Sequence, residues 1–327
     1  MIRWINFQSK ELADWFKPRA GEQKIGQTVG CGDFTESPAR FVLVAVSEDI
    51  GIQGNLGRAG AKDAWKSIFA AFLNMQDNRF LKGEDIHLAG VLDINTDLEL
   101  LDSLRSFTSK IDEALFPIIQ KIRSLNKIPI VIGGGHNNAF PCLKGCSLAS
   151  GKGLQALNID PHADFRALEG RHSGNGFSYA MNEKFLSKYF IYGLHQSYNS
   201  EVMLSEMEST GKIGWNYFDE IYVQEKLSED KAKEQALAYL GNSPTGIELD
   251  IDSIVLAPSS AITCSGLSPN QARKLLFFFS NRLNSVYLHL PELAPKLAPK
   301  KQQAAWAKLG AYLISDFIKA KMDSWKH

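Results

Sequence analysis

Cysteine is scarce. Four thiols in 327 residues are too few for a disulfide scaffold, and Cys31, Cys142, Cys146 and Cys264 contain no CxxC pair from which a structural zinc site would start. They read as reduced thiols, which points to a cytoplasmic protein. Charge of one sign is missing too: 36 Lys plus Arg balance 36 Asp plus Glu. That leaves no basic face for nucleic acid and no support for a membrane-surface partner. No apolar run approaches the ~18 residues of a membrane span, and the first residues are charged throughout, unlike a signal peptide. Internal repeats, low-complexity blocks and Ser/Gly linkers are also lacking. The chain therefore reads as a single domain over 1–327, with 1–39 as an N-terminal extension.

What is present is an ordinary globular composition, 44% hydrophobic and 22% charged. Dense apolar runs at Phe41–Val46, Ile128–Ile132, Leu154–Ile159, Tyr189–Tyr192, Thr245–Ile251 and Ser285–Leu290 show no polar alternation, the habit of strands covered on both faces. Amphipathic stretches lie between them at Ala61–Met75, Ser109–Leu125, Ser228–Leu240, Ser268–Asn281 and Lys301–Met322. Strand–helix alternation over the whole length predicts an α/β fold around a mostly parallel sheet. In such sheets ligands bind outside the carboxyl ends of the strands.

Three of those ends carry chemistry: Gly133-Gly134-Gly135-His136, Asp160-Pro161-His162-Ala163-Asp164 and Asp250-Ile251-Asp252. Residues two apart share a side of an extended chain, so Asp160, His162 and Asp164 can converge, as can Asp250 and Asp252. Four carboxylates and an imidazole in one small volume, with His136 as a possible second imidazole, need a compensating cation. Arg166 is the nearest and does not suffice. Oxygen and nitrogen donors without thiolate favour Mn²⁺ over structural zinc. With shared carboxylates, six residues hold two ions at about 3.5–4 Å separation, a pair that activates water near neutral pH. GGGH is not a phosphate loop, because neither GxxxxGK[ST] nor GxGxxG after a strand is present.

In order along the chain, Gly133–His136, Asp160–Asp164, Ser173-Gly-Asn-Gly-Phe177, Asp250-Ile-Asp252 and Glu292-Leu-Ala-Pro295 resemble the pieces of the ureohydrolases, the arginase–agmatinase–formimidoylglutamase family. Asn55-Leu-Gly-Arg58-Ala-Gly-Ala61 resembles that family's early NxGRxGA loop. The resemblance spans about residues 40–320. It implies a three-layer αβα fold and two Mn²⁺ per chain. One ion would be held by His136, Asp160, Asp164 and Asp250, the other by Asp160, His162, Asp250 and Asp252. Asp164 would hold the attacking water, Glu292 would face the cationic amidine nitrogens, and Asn175 would contact substrate. It also implies a homo-oligomer and a small amidine or guanidine as the substrate.

Phe177 stands where arginases and agmatinases carry a proton-shuttling histidine. The chain thus looks closest to formimidoylglutamase, which hydrolyses N-formimidoyl-L-glutamate to glutamate and formamide in histidine degradation. A substrate with two carboxylates calls for a cationic clamp; Arg58 and Arg166 are the candidates. His172 and His195 are candidate proton relays. His87 and His327 read as surface residues, and His289 as a hydrogen-bonded core residue. Pro161 replaces an Ala, Glu248 a Ser, and Val255-Leu256 an Asp-Pro pair. Those departures keep other readings open: a guanidino hydrolase, a non-catalytic metal-binding relative, or a single-zinc deacetylase of related fold.

Overall fold

The computed structural model describes residues 1–326; His327 lies outside them. Ten strands form one sheet: β1 (Ile2–Asn6), β2 (Gly30–Cys31), β3 (Phe41–Ser47), β4 (Ile86–Ile94), β5 (Ile128–Ile132), β6 (Leu154–Ile159), β7 (Leu186–Leu194), β8 (Ile213–Tyr217), β9 (Thr245–Leu249) and β10 (Ser285–Leu290). Their spatial order is β1-β4-β3-β5-β10-β9-β6-β7-β8, with β2 also on β4. Every pairing is parallel except β1 on β4. The N-terminal extension thus supplies an antiparallel edge strand. β9 and β10 come last in the chain and insert between β5 and β6, so residues far apart in sequence meet at adjacent strand ends.

The helices are α1 (Ser9–Leu12), α2 (Ile50–Gly54), α3 (Ala64–Leu73), α4 (Leu101–Ser124), α5 (Ala139–Ser150), α6 (Gly176–Asn182), α7 (Glu201–Thr210), α8 (Glu229–Leu240), α9 (Pro269–Arg282) and α10 (Lys300–Ser324). Their ends are written in the sequence. Ser268 caps α9 with Pro269 in the first turn and Gln271 closing a capping box. Ser228 and Ser200 cap α8 and α7, and Gly211 ends α7 in the left-handed conformation.

The sheet separates two cores, and β3 feeds both. Phe41, Leu43 and Ala45 pack with α3, α8, α9 and α10, while Val42, Val44 and Val46 pack with α4, α5, α6 and α7. The result is three layers, αβα, as expected, and it explains the unbroken apolar runs. Two expectations change. His87, read as a surface residue, is buried on β4 with Nε2 3.1 Å from the Gly32 carbonyl. The β4 run itself escaped the strand list because Gly90 and Asp93 interrupt it. Among the described residues no helix is long and apolar enough to cross a membrane.

Candidate metal centre

The carboxyl ends of β5, β10, β9 and β6 lie side by side, and each releases its reactive residues there. After β5 the chain turns through Gly133 (φ +87°) and Gly134 (φ +74°), a backbone that side chains resist. A Cβ on Gly134 would meet Asn138 at 2.3 Å and Glu48 at 2.8 Å. Glu48 locks this turn: Oε1 accepts from Gly135 N and from the amides of Asn137 and Asn138, and Oε2 from Ile50 N and Gly51 N. His136 is thereby presented at the strand ends, almost fully buried.

His136 Nδ1 lies 3.2 Å from Asp160 Oδ2, 2.8 Å from Asp164 Oδ2 and 2.9 Å from Asp250 Oδ2, yet none meets it in the direction a hydrogen bond requires. Nearby, His162 Nδ1 lies 3.4 Å from Asp160 Oδ1 and 3.3 Å from Asp252 Oδ2. Two donor sets result on the cavity side, His136–Asp160–Asp164–Asp250 and Asp160–His162–Asp252, each with its ligand atoms within 4.8 Å; a third group, His136–Glu248–His289, lies behind the His136 ring, fully buried. Asp160 belongs to both; Asp250, implied as a second bridge, joins the first alone. Pro161 causes no loss here, because its carbonyl, not its missing N–H, is used, by His195 N and Asn199 Nδ2.

Without a cation this cluster is electrostatically unsettled. Burial, then the neighbouring Asp252, pushes Asp250 well above the usual carboxylate range. Burial raises Asp252 to about 6, and burial with Asp160 raises Asp164. Burial also works against ionised Asp160, but His136 and His162 hold it low. An imidazole nitrogen aimed among three carboxylate oxygens without hydrogen-bonding any of them suits a divalent ion. The donors are hard or borderline, and no thiolate is among them.

A cavity of about 220 Å³ opens over the cluster; Asn55, Arg166, Ser173, Tyr198, Ser260 and Glu292 line it together with His162, Asp164, Asp250 and Asp252. Glu292 has φ +66°; its Oε1 accepts from His136 N and its Oε2 from Ser260 Oγ. Burial, then the nearby Asp250, lifts its carboxyl to about 8. Arg166 is half exposed and donates to Asn55 Oδ1 and Glu169 Oε1.

Other expected site residues are placed elsewhere. Asn175 is buried, Oδ1 accepting from Arg171 and His172 N, and Nδ2 donating to the Ala167 and Gly170 carbonyls. Its amide braces the loop and does not line the cavity. His172 is also buried: Nδ1 accepts from Gly174 N and Nε2 lies 3.1 Å from Glu169 Oε1. Burial, then Arg105, lowers it to about 4, so it is a neutral brace. Arg58 is exposed on the loop after α2 and outside the cavity lining. His195 is stacked between Tyr198 and Phe218, at 5.0 and 4.5 Å. Phe177 packs edge-on against His136 at 5.3 Å and stacks on Tyr189 at 4.3 Å, forming an apolar wall behind the ring.

Some contributors were not expected from the sequence. Glu48 is one. Asn158 is another; it donates to Asp160 Oδ2 and to Tyr189 Oη. Glu248, read only as a departure, is fully buried and faces His136 Nε2 at 3.5 Å. His289, expected to be a hydrogen-bonded core residue, meets Glu248 through Nδ1 at 2.6 Å.

A parallel αβα sheet whose adjacent strand ends gather two imidazoles and four carboxylates defines a metallohydrolase-like α/β protein. Residues 39–318 match the family model described as the arginase family, and the chain belongs to that family. A formimidoylglutamase of Streptococcus gordonii is 28% identical over 241 residues, 71% of this chain and 70% of that protein. The structure of formimidoylglutamase from Bacillus subtilis is 16% identical with TM-score 0.78 over 94% of both chains. Trypanosoma cruzi formiminoglutamase with Mn²⁺ is 20% identical with TM-score 0.75, covering 91% of this chain and 98% of that one.

Proposed function

We propose that the chain is a binuclear manganese hydrolase that cleaves N-formimidoyl-L-glutamate to L-glutamate and formamide. The observation that carries the reading is the pair of donor sets sharing Asp160, with His136 Nδ1 turned among three carboxylate oxygens. The names of the relatives support the substrate.

When bound, a pair of divalent ions supplies a water activated near neutral pH and charge stabilisation for the addition step. The protein's own groups do the rest. Glu292, held by His136 N and Ser260 Oγ and lifted to about 8 by burial and Asp250, would be ionised by the arriving formimidoyl cation, pair with it and orient its carbon toward the ligand cluster. Asp164 lines the cavity and takes the proton released by the attacking water. That proton passes to the departing α-nitrogen, so amidinium plus water gives formamide plus the ammonium of glutamate. Arg166 pairs with a substrate carboxylate at the cavity mouth, where Ser173 and Gly174 border the same space. Phe177 keeps water from the inner side of His136.

The test is formamide release by the Mn²⁺-loaded protein across a panel of formimino and guanidino acids. Formimidoylglutamate should be the best substrate. Urea release from a guanidino acid as the main activity, or no turnover with both ions bound, would overturn the assignment.

A further inference from the structure

Directly beneath the metal cluster runs a row of polar side chains. Asn158 on β6, Glu248 on β9 and His289 on β10 are register partners across three adjacent strands. All three are fully buried. Their strand neighbours Leu157, Ile159, Ile247, Leu249, Leu288 and Leu290 belong to the core facing α8 to α10, so the row faces the opposite layer, toward α5. Tyr287 completes it. Its hydroxyl donates to Glu248 Oε1 at 2.6 Å, while His289 Nδ1 meets Oε2 at 2.6 Å. Gly246 makes the room, since a Cβ there would stand 2.2 Å from the Tyr287 ring. Six apolar positions thus flank a charged group that water cannot reach.

Burying a carboxylate this way is costly unless its donors are arranged around it. Tyr287 and His289 supply two. Its remaining neighbour is His136 Nε2, 3.5 Å away, the face of that ring opposite the Asp160–Asp164–Asp250 oxygens. Among the described residues Nε2 has no hydrogen-bond partner; the Glu248 carboxylate, 3.5 Å away and out of line, is the charge that faces it. A carboxylate behind the ring favours the proton on Nε2 and the lone pair on Nδ1 by its charge, even without an in-line hydrogen bond, and it strengthens the imidazole as a donor. Among the described residues no carboxylate backs His162 in this way. Its ring is stacked on Tyr198 at 5.3 Å and its side chain is partly exposed.

We propose that Glu248, clamped by Tyr287 and His289, is the positioning residue that fixes the tautomer and orientation of His136 and thereby sets the affinity of the ion site on the His136 side, leaving the His162 side unaffected. The inference rests on the two-ion reading above.

The experiment is calorimetric Mn²⁺ titration of metal-stripped full-length protein, with bound ions counted after gel filtration. Wild type should take two ions per chain. Glu248→Gln, which keeps the volume, should weaken one of them by about 10- to 100-fold, the range typical of a lost partner behind a ligand, and leave the other within about threefold. Tyr287→Phe, which loosens the clamp without touching His136, should weaken the same ion by a smaller factor and serves should Glu248→Gln fail to fold. Unchanged affinities in both variants, or equal weakening of both ions, would overturn the proposal. Should wild type take only one ion, the two-ion reading falls, and Glu248 is judged on whether that ion weakens.

Discussion

The site has a floor and a mouth, and they are built differently. At the floor, His136 is 1% exposed and enclosed by Phe177, Glu248 and three aspartates. At the mouth, the His162 side chain is 28% and the Arg166 side chain 47% exposed, and aromatic stacking on Tyr198 stands where the floor has a buried carboxylate behind the ring. Groups at the floor are held before any ion or substrate arrives, so changes there should act on metal affinity and turnover. Under the proposed function, groups at the mouth would meet the substrate's carboxylates in water, so changes there should act on its binding.

The residue common to both ends gives the sharpest break. Asp160→Ala removes the carboxylate shared by the two donor sets. Metal analysis should show both ions lost, and activity should fall more than about 100-fold, beyond what losing an outer partner does. Glu292→Gln keeps the shape and the acceptor for His136 N, turns the Ser260 contact round so that the amide donates to Oγ, and removes the charge. The expectation is a drop of about 100-fold in kcat/KM, of the size found for a lost electrostatic donor, with both ions retained. Arg166→Ala tests the mouth. Losing one charged hydrogen bond, worth about 1.5–3 kcal/mol, should raise KM by ~10- to 150-fold and leave kcat within a few-fold; a kcat loss without a KM change would erase the distinction.

The smallest effect lies outside both regions. Folded His172 titrates at about 4, below the ~6.5 of the unfolded chain. Below pH 6.5 the unfolded state binds the proton that the folded state refuses, so stability is present above that pH and lost as pH falls toward 4. From pH 7 to pH 5 this histidine should account for about 2 kcal/mol of the loss. Denaturant melts of His172→Gln should show a correspondingly shallower decline; an unchanged slope would mean that His172 is not a neutral buried brace.

The clustering of the candidate ligands was legible because each sits just beyond an apolar run, where a carboxylate or imidazole has no place unless it is used. Helix positions were legible from amphipathic stretches such as those from Ser228 and Ser268, residues that cap α8 and α9. Substrate-facing roles were harder to read. Spacing put Asn175 and His172 beside Ser173 but could not show that their polar atoms are consumed by Arg171, Gly174 N and Glu169. Long-range partners leave no local trace, and Glu48 braces a turn 87 residues away. The polar row did leave a signal: Leu157-Asn158-Ile159, Ile247-Glu248-Leu249 and Leu288-His289-Leu290 repeat one apolar–polar–apolar triplet at three strand ends. A strand buried on both faces has no other reason to carry that middle residue.

The most direct measurement is the anomalous difference density of a crystal grown from Mn²⁺-loaded protein. Two peaks should appear, one against His136 Nδ1 and one against His162 Nδ1, with Asp160 touching both. A single peak, or none between those two imidazoles, would contradict the account.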